Sequence, residues 1–166
     1  MPFLKWSASH AVFVTDIDDE HKEIFDAVSS LQTAFANGDA SADIRKLTEH
    51  LVACIVGHFA HEERLMRAAR YSAIRWHQQQ HEHARRRVGQ LVRRIERGDA
   101  KAGPALVEYL KSWLQDHTRL ADRMLGAALR NHQRGLCKVT FRAGTKPMDA
   151  CAWVDVNGDR LDSARQ

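Results

Sequence analysis

The chain is predicted to be all-α: an antiparallel, up-down-up-down four-helix bundle with an irregular N-terminal arm and a short C-terminal extension. Three observations carry that expectation. Four amphipathic segments of bundle length follow one another along the 166 residues. The connections between them are short, which makes sequential helices antiparallel neighbours. Helix-stopping and helix-starting residues fall inside those connections.

The first helix is expected over about residues 19–36, ending at Asn37-Gly38, where a glycine can take the left-handed cap conformation. The second is expected over about residues 41–69, with Ser41 as its N-cap. The third covers about residues 73–97 and stops at Gly98-Asp99; the fourth starts at Pro104, a good first-turn residue, and runs to about Asn131. Residues 1–18 read as an arm whose Trp6, Val12, Val14 and Ile17 cover one side of the core. From about Gly135 the character changes. Cys137-Lys-Val-Thr-Phe-Arg142 alternates in period two, and an Asn157-Gly158 turn lies between short strand-like runs, so a small β-hairpin is expected there. The organisation is therefore residues 1–131 as the bundle and 132–166 as an extension.

Composition narrows the function classes. The net charge of +4 is spread evenly, with an excess of two basic residues in 1–131 and two in 132–166, so there is no separate basic arm for nucleic acid. Arg85, Arg86, Arg87, Arg93, Arg94 and Arg97 spread over about 200° of the third helix with no interleaved aromatics, and read as a solvated face. No apolar run approaches the roughly 20 residues of a membrane span. The N-terminal segment turns polar and acidic too early for a secretory signal, and three cysteines (Cys54, Cys137, Cys151) form no framework, so a reducing, cytoplasmic setting is expected. Asp155-Val-Asn157-Gly-Asp159 has some character of a calcium loop, but Arg160 and Gln166 occupy the positions that need Gly and Glu.

The unusual total is histidine, at ten. Five of them, His21, His58, His77, His81 and His117, are joined by Glu62 and Asp122 at spacings that place them on four helices. If they are ligands they must point inward, and stepping about 100° per residue tests this. His77 and His81 fall within the arc of Val88, Leu91, Val92 and Ile95, whereas His83 falls opposite, with the arginines. His58 and Glu62 lie on the stripe of Leu47, Leu51, Cys54, Ile55, Leu65 and Met66, with Glu63 away from it and His61 at its edge. His21 shares a face with Ile17, Phe25, Val28 and Phe35. Asp122 is the exception: five residues after His117, it lies about 140° round a regular helix. A π-bulge between the two would bring them back into register, and such bulges gather at functional sites.

A single histidine on an apolar stripe is most often a satisfied core residue. Five, with two carboxylates, would cost several kcal/mol in desolvation without a cation. Seven ligands exceed what one ion takes, so two ions bridged by carboxylates is the economical count. Zinc's His-Glu-x-x-His signature is absent, and no Glu is followed three residues later by His, as the carboxylate-rich di-iron oxidases require. Five neutral imidazoles with two carboxylates leave a pair of ions net cationic. That disfavours highly oxidised iron and points to reversible binding of a small ligand more than to substrate oxidation.

With those residues in place the chain resembles the hemerythrins, specifically the single-domain bacteriohemerythrins. The matching stretches are Ile17-Asp-Asp-Glu-His-Lys-Glu-Ile-Phe25, His58-Phe-Ala-His-Glu-Glu-Arg-Leu-Met66, Tyr71 through His77 to His81, and Trp113-Leu-Gln-Asp-His117 with Asp122. The resemblance implies two iron ions as cofactor. His77, His81 and His117 would hold one, His21 and His58 the other, and Glu62 and Asp122 would bridge them together with an oxo or hydroxo group. It implies O2 as the ligand, entering at the two-histidine iron, in a pocket lined by Ile24, Phe25, Phe59, Trp113, Leu114 and Thr118. Three positions depart from the family pattern. Thr118 stands where an Ile is common, and a hydroxyl there is expected to admit water or donate a hydrogen bond and so speed autoxidation; Phe13 replaces a glycine in the arm, and Ser72 replaces a proline after Tyr71. The expected role is O2 storage, delivery or sensing without catalysis. The competing readings are a di-iron enzyme acting on peroxide or nitric oxide, and a signalling module that reaches a protein partner through residues 132–166.

Overall fold

The computed structural model describes the backbone of residues 4–142 and the side chains of residues 4–135. The helices are α1 (Thr15–Asn37), α2 (Ser41–Ala68), α3 (Ile74–Glu96), α4 (Ala102–His117) and α5 (Arg123–Arg142). A π-helical turn, Thr118–Asp122, joins α4 to α5, so the two form one long fourth helix. α1 packs on α2 and α4, and α3 packs on the same two, which closes the expected antiparallel bundle.

Helix ends follow local chemistry. Gly38 and Gly98 take φ of 70° and 78° just past α1 and α3, the left-handed caps expected of glycine. α2 begins at Ser41 itself, with Ala40 as cap and no side-chain capping bond, so the serine is the first helical residue rather than the cap. Pro104 sits in the first turn of α4, where its missing N–H has no partner to lose. α1 starts at Thr15, a turn earlier than the periodicity suggested. The reason is Asp18, whose carboxylate accepts the arm's Val12 and Phe13 amides at 2.8 and 3.0 Å and folds the chain into the helix. At Gly103 a Cβ would lie 2.2 Å from the Phe35 ring, so that glycine lets α1 and α4 close at the end far from the histidines.

The extension is corrected in part. α5 continues beyond Asn131 to Arg142, so residues 137–142, expected as a strand of the hairpin, are helical. A six-residue alternation is too short to override a helix already propagating through the preceding turns. The rest of the expected hairpin and the Asp155–Asp159 loop, with Cys151, lie outside the described residues. Among the described residues no helix is long and apolar enough to cross a membrane.

Two apolar clusters result. The larger fills the bundle and contains Ile24, Phe25, Leu31, Leu51, Phe59, Leu91, Leu106 and Leu114. The smaller joins Val12, Val14 and Ile17 of the arm to Leu65, Met66, Tyr71, Leu125 and Leu129. Trp6 packs against the larger cluster, so the arm does cover the core as expected. Arginines from α5 tie the arm down: Arg123 donates to the Ala11 and Ser9 carbonyls and Arg130 to that of Val12. The seven polar side chains singled out above lie between these clusters.

Candidate metal centre

All seven residues are buried, and His21, Glu62, His77, His81 and Asp122 are wholly inaccessible. Each helix delivers its share by simple spacing. His77 and His81 lie four apart on α3, as do His58 and Glu62 on α2, and so stack on one face. His21 stands on α1, between Ile17 and Ile24 on the buried face. On the fourth helix the π turn is decisive. Its i→i+5 bonding brings Asp122 under His117, with the Asp122 Oδ1 3.0 Å from the His117 Nε2.

The Nε2 atoms converge. Those of His77 and His81 stand 3.4 and 3.1 Å from the Glu62 Oε2, and that of His77 is 3.2 Å from the Asp122 Oδ1. On the other side the His21 Nε2 is 3.1 Å from the Asp122 Oδ2 and 3.2 Å from the His58 Nε2, which is 3.6 Å from the Glu62 Oε2. Two groups that could each hold a cation emerge: Glu62, His77, His81, His117 and Asp122, and His21, His58, Glu62 and Asp122. They share only the two carboxylates.

The donor set fits such ions. Both oxygens of Glu62 and of Asp122, and the Nε2 atoms of His77, His81 and His117, are buried without hydrogen-bond partners. Buried donors and acceptors left facing one another at contact distance are costly unless a cation occupies the space between them. Burial alone would push the carboxyl of Asp122 up. The charge of His117, with the imidazoles of His21 and His77 at close approach, outweighs it and holds the group well below the usual carboxylate range. Burial likewise opposes the charged form of His77, yet Asp122 and Glu62 raise it to about 9. This mutual polarisation of imidazoles and carboxylates is the field that a metal pair would take over.

A supporting ring orients the imidazoles, and the sequence pattern did not reveal it. Glu20, half-buried on α1, accepts from the Nδ1 of His58 at 2.9 Å and of His61 at 2.7 Å. Burial acts to raise its carboxyl, but those two bonds win and hold it at about 2. Glu63 accepts from the His81 Nδ1 at 3.2 Å and is itself held by Arg85 at 2.9 Å and Gln78 at 3.3 Å. An Nδ1–H donated to a carboxylate leaves the Nε2 lone pair facing inward, the tautomer a metal needs. Arg85 is thereby withdrawn from the solvated arginine face expected of α3, and its guanidinium also sits 5.2 Å over the Phe59 ring. His61, at the stripe's edge in the sequence, is buried as Glu20's second donor. His83 is exposed, as its position opposite the stripe predicted.

Two of the residues expected to line the pocket lie directly against the centre's histidines. Phe59 stacks on His81 at 3.9 Å between centroids, and Trp113 on His117 at 4.1 Å. Ile24, Phe25 and Leu114 are buried, and Phe59 meets Trp113 edge-on at 5.4 Å. Thr118 is fully buried, and its hydroxyl donates to the Leu114 carbonyl at 2.7 Å. His10, which the sequence did not single out, is buried and packs its ring 4.9 Å from that of Phe25.

Comparison with known proteins agrees with this architecture. Residues 12–129 match the hemerythrin HHE cation binding domain. The chain is 33% identical over 144 residues to a bacteriohemerythrin of Pseudomonas aeruginosa, covering 87% of this chain and 93% of that one. It is 30% identical over 132 residues to the bacteriohemerythrin of Methylococcus capsulatus, covering 78% and 98%. A solved structure of a hemerythrin mutant superposes with a TM-score of 0.72 at 27% identity, over 78% of this chain and 98% of that chain. A bundle of this topology, a π turn directly after His117 and a domain match over residues 12–129 have one reading: the chain belongs to the hemerythrin family.

Proposed function

We propose that this protein binds O2 reversibly at a pair of iron ions. The observation that carries the reading is the overlap of the two ligand groups in Glu62 and Asp122 alone. His77, His81 and His117 would hold one ion and His21 and His58 the other, with the two carboxylates bridging. The second ion would then have fewer protein donors, which would leave room for the ligand. When bound, the ion pair supplies two electrons to O2 and recovers them on release.

The chain's own residues favour binding over turnover. Two carboxylates would cancel half the charge of two divalent cations, so the pair would stay cationic and resist oxidation beyond the diferric level. Ile24, Phe25, Phe59 and Leu114 are each at most 2% exposed and keep water from the ligand side. Glu20 and Glu63 fix the imidazole tautomers through the contacts given above. The Thr118 hydroxyl proton is committed to the Leu114 carbonyl and so is not offered to a bound ligand.

Metal analysis with an optical spectrum of the air-exposed protein tests this. Near two irons per chain, oxo-bridge charge-transfer bands, and an oxygenated form that reverts under vacuum are expected. Zinc alone, or no metal, overturns the site; rapid loss of the O2-derived ligand to a diferric form that does not revert under vacuum overturns reversible binding in favour of an enzymatic role on peroxide or nitric oxide.

A further inference from the structure

A second cluster of ligating side chains lies on the outside of the bundle, where α1 and α2 face each other. It comprises Glu23 on α1 and His50 and Cys54 on α2, with one ligand atom of each lying within 4.8 Å of the others. The sequence placed Cys54 on the buried stripe of the second helix; the structure leaves it half-buried, its sulfur turned towards His50 and Glu23. We propose that Glu23, His50 and Cys54 form a mononuclear site for a borderline divalent transition cation, of which zinc is the representative, separate from the buried histidine centre.

Spacing is the first argument. His50 and Cys54 are four apart on a helix, so both project from one face as a chelating pair. The Cys54 sulfur is 3.7 Å from the His50 Nε2 and 3.9 Å from its Nδ1. Bond lengths of about 2.3 Å to sulfur and 2.0 Å to nitrogen, set at a tetrahedral angle, place the two ligand atoms about 3.5 Å apart. The observed pair is therefore already near the separation a tetrahedral ion requires. Glu23 needs only a rotamer adjustment of an exposed side chain to supply the third ligand, and water completes the tetrahedron.

Donor chemistry is the second argument. One thiolate, one imidazole and one carboxylate select neither calcium nor magnesium, which prefer all-oxygen sites. Burial, and then the facing Glu23 carboxylate, push the thiol up to about 11. Two groups that would repel as anions are thus held together, and a cation turns that repulsion into attraction. Because the three ligands span α1 and α2, an ion there pins the two helices that carry His21 and His58.

The test uses the iron-loaded full-length protein titrated with cobalt(II) and, in parallel, zinc. About one further ion per chain is expected, with a thiolate-to-cobalt charge-transfer band and unchanged iron content. Cys54→Ser should abolish the band, and His50→Ala and Glu23→Gln should each weaken binding by at least about tenfold, the scale of losing a supporting partner at a metal site. All three positions are exposed or half-buried, so the variants keep the fold; zinc should also slow alkylation of Cys54. No additional ion, or uptake equal in all variants, overturns the proposal. Cobalt taken up only in exchange for iron overturns it as well, because it then resides in the buried centre.

Discussion

Inserting one alanine between Leu120 and Ala121 probes the π turn directly. A single added residue rotates everything beyond it by about 100° relative to α4. Asp122 would leave the other six side chains, and Leu125 and Leu129, both wholly buried, would leave the smaller apolar cluster. Burying a leucine contributes about 1.5–3 kcal/mol, so the pair accounts for about 3–6 kcal/mol. Leaving histidines without their carboxylate adds about 1–3 kcal/mol. That sum approaches the whole stability of an ordinary domain, about 5–15 kcal/mol. Deleting Leu120, which is 58% exposed, is the counterpart. His117 and Asp122 then stand four apart in a regular α-helix and still share a face, so iron retention and stability within about 1 kcal/mol of the parent are expected. Denaturant unfolding with iron per chain measures both variants. If the deletion loses iron as fully as the insertion, or the insertion keeps two irons, the π turn is not a one-residue register device and the reasoning fails.

Glu20→Gln, which removes the acceptor shared by His58 and His61, should weaken iron retention by about 10–100-fold in chelator competition; an unchanged release rate would mean the ring does not orient His58. Phe59→Ala should cost about 3–5 kcal/mol in denaturant unfolding by opening a cavity against His81, and should speed loss of the oxygenated form; neither effect appearing would remove Phe59 from the pocket wall. Phe13 takes φ of 61° while 64% exposed, so Phe13→Gly relieves about 1–2 kcal/mol of left-handed strain against about 0.5–1 kcal/mol of added chain entropy. A midpoint shift to higher denaturant is expected, and a clear loss of stability would show that the Arg130 contact over that ring outweighs the strain. Thr118→Val should change the autoxidation rate by well under tenfold, because the hydroxyl already serves the Leu114 carbonyl; a tenfold change would place that hydroxyl in the chemistry.

The bundle and the convergence of the seven side chains were legible because both are periodic. An apolar stripe with a period near 3.6 marks the inward face, and His58, Glu62, His77 and His81 sit on it. Even the π turn left a trace, since Asp122 belongs with His117 chemically and is out of phase with it arithmetically. Glu20, Glu63 and Arg85 were not legible. Their roles depend on contacts such as Glu20 to His58 and His61, 38 and 41 residues away, and periodicity reports a face without reporting what lies across from it. The same limit hid His50 and Glu23, which gain meaning only once α1 lies beside α2. The alternation over residues 137–142 misled because six residues fit either period, and the helix preceding them decided the outcome.

The clasp between the arm and α5 has a consequence for the order of assembly. Its bonds join residues 112 to 118 positions apart, from Arg123 and Arg130 to the carbonyls of Ser9, Ala11 and Val12. Bringing together such distant parts of an unfolded chain carries a large loop-closure entropy, so these contacts form once the four helices have already shortened the path between them. The cover that Val12 and Val14 give is therefore the part of the fold that depends most on the bundle being in place. In the proposed di-iron form the arm would then be the last barrier placed between the ions and solvent.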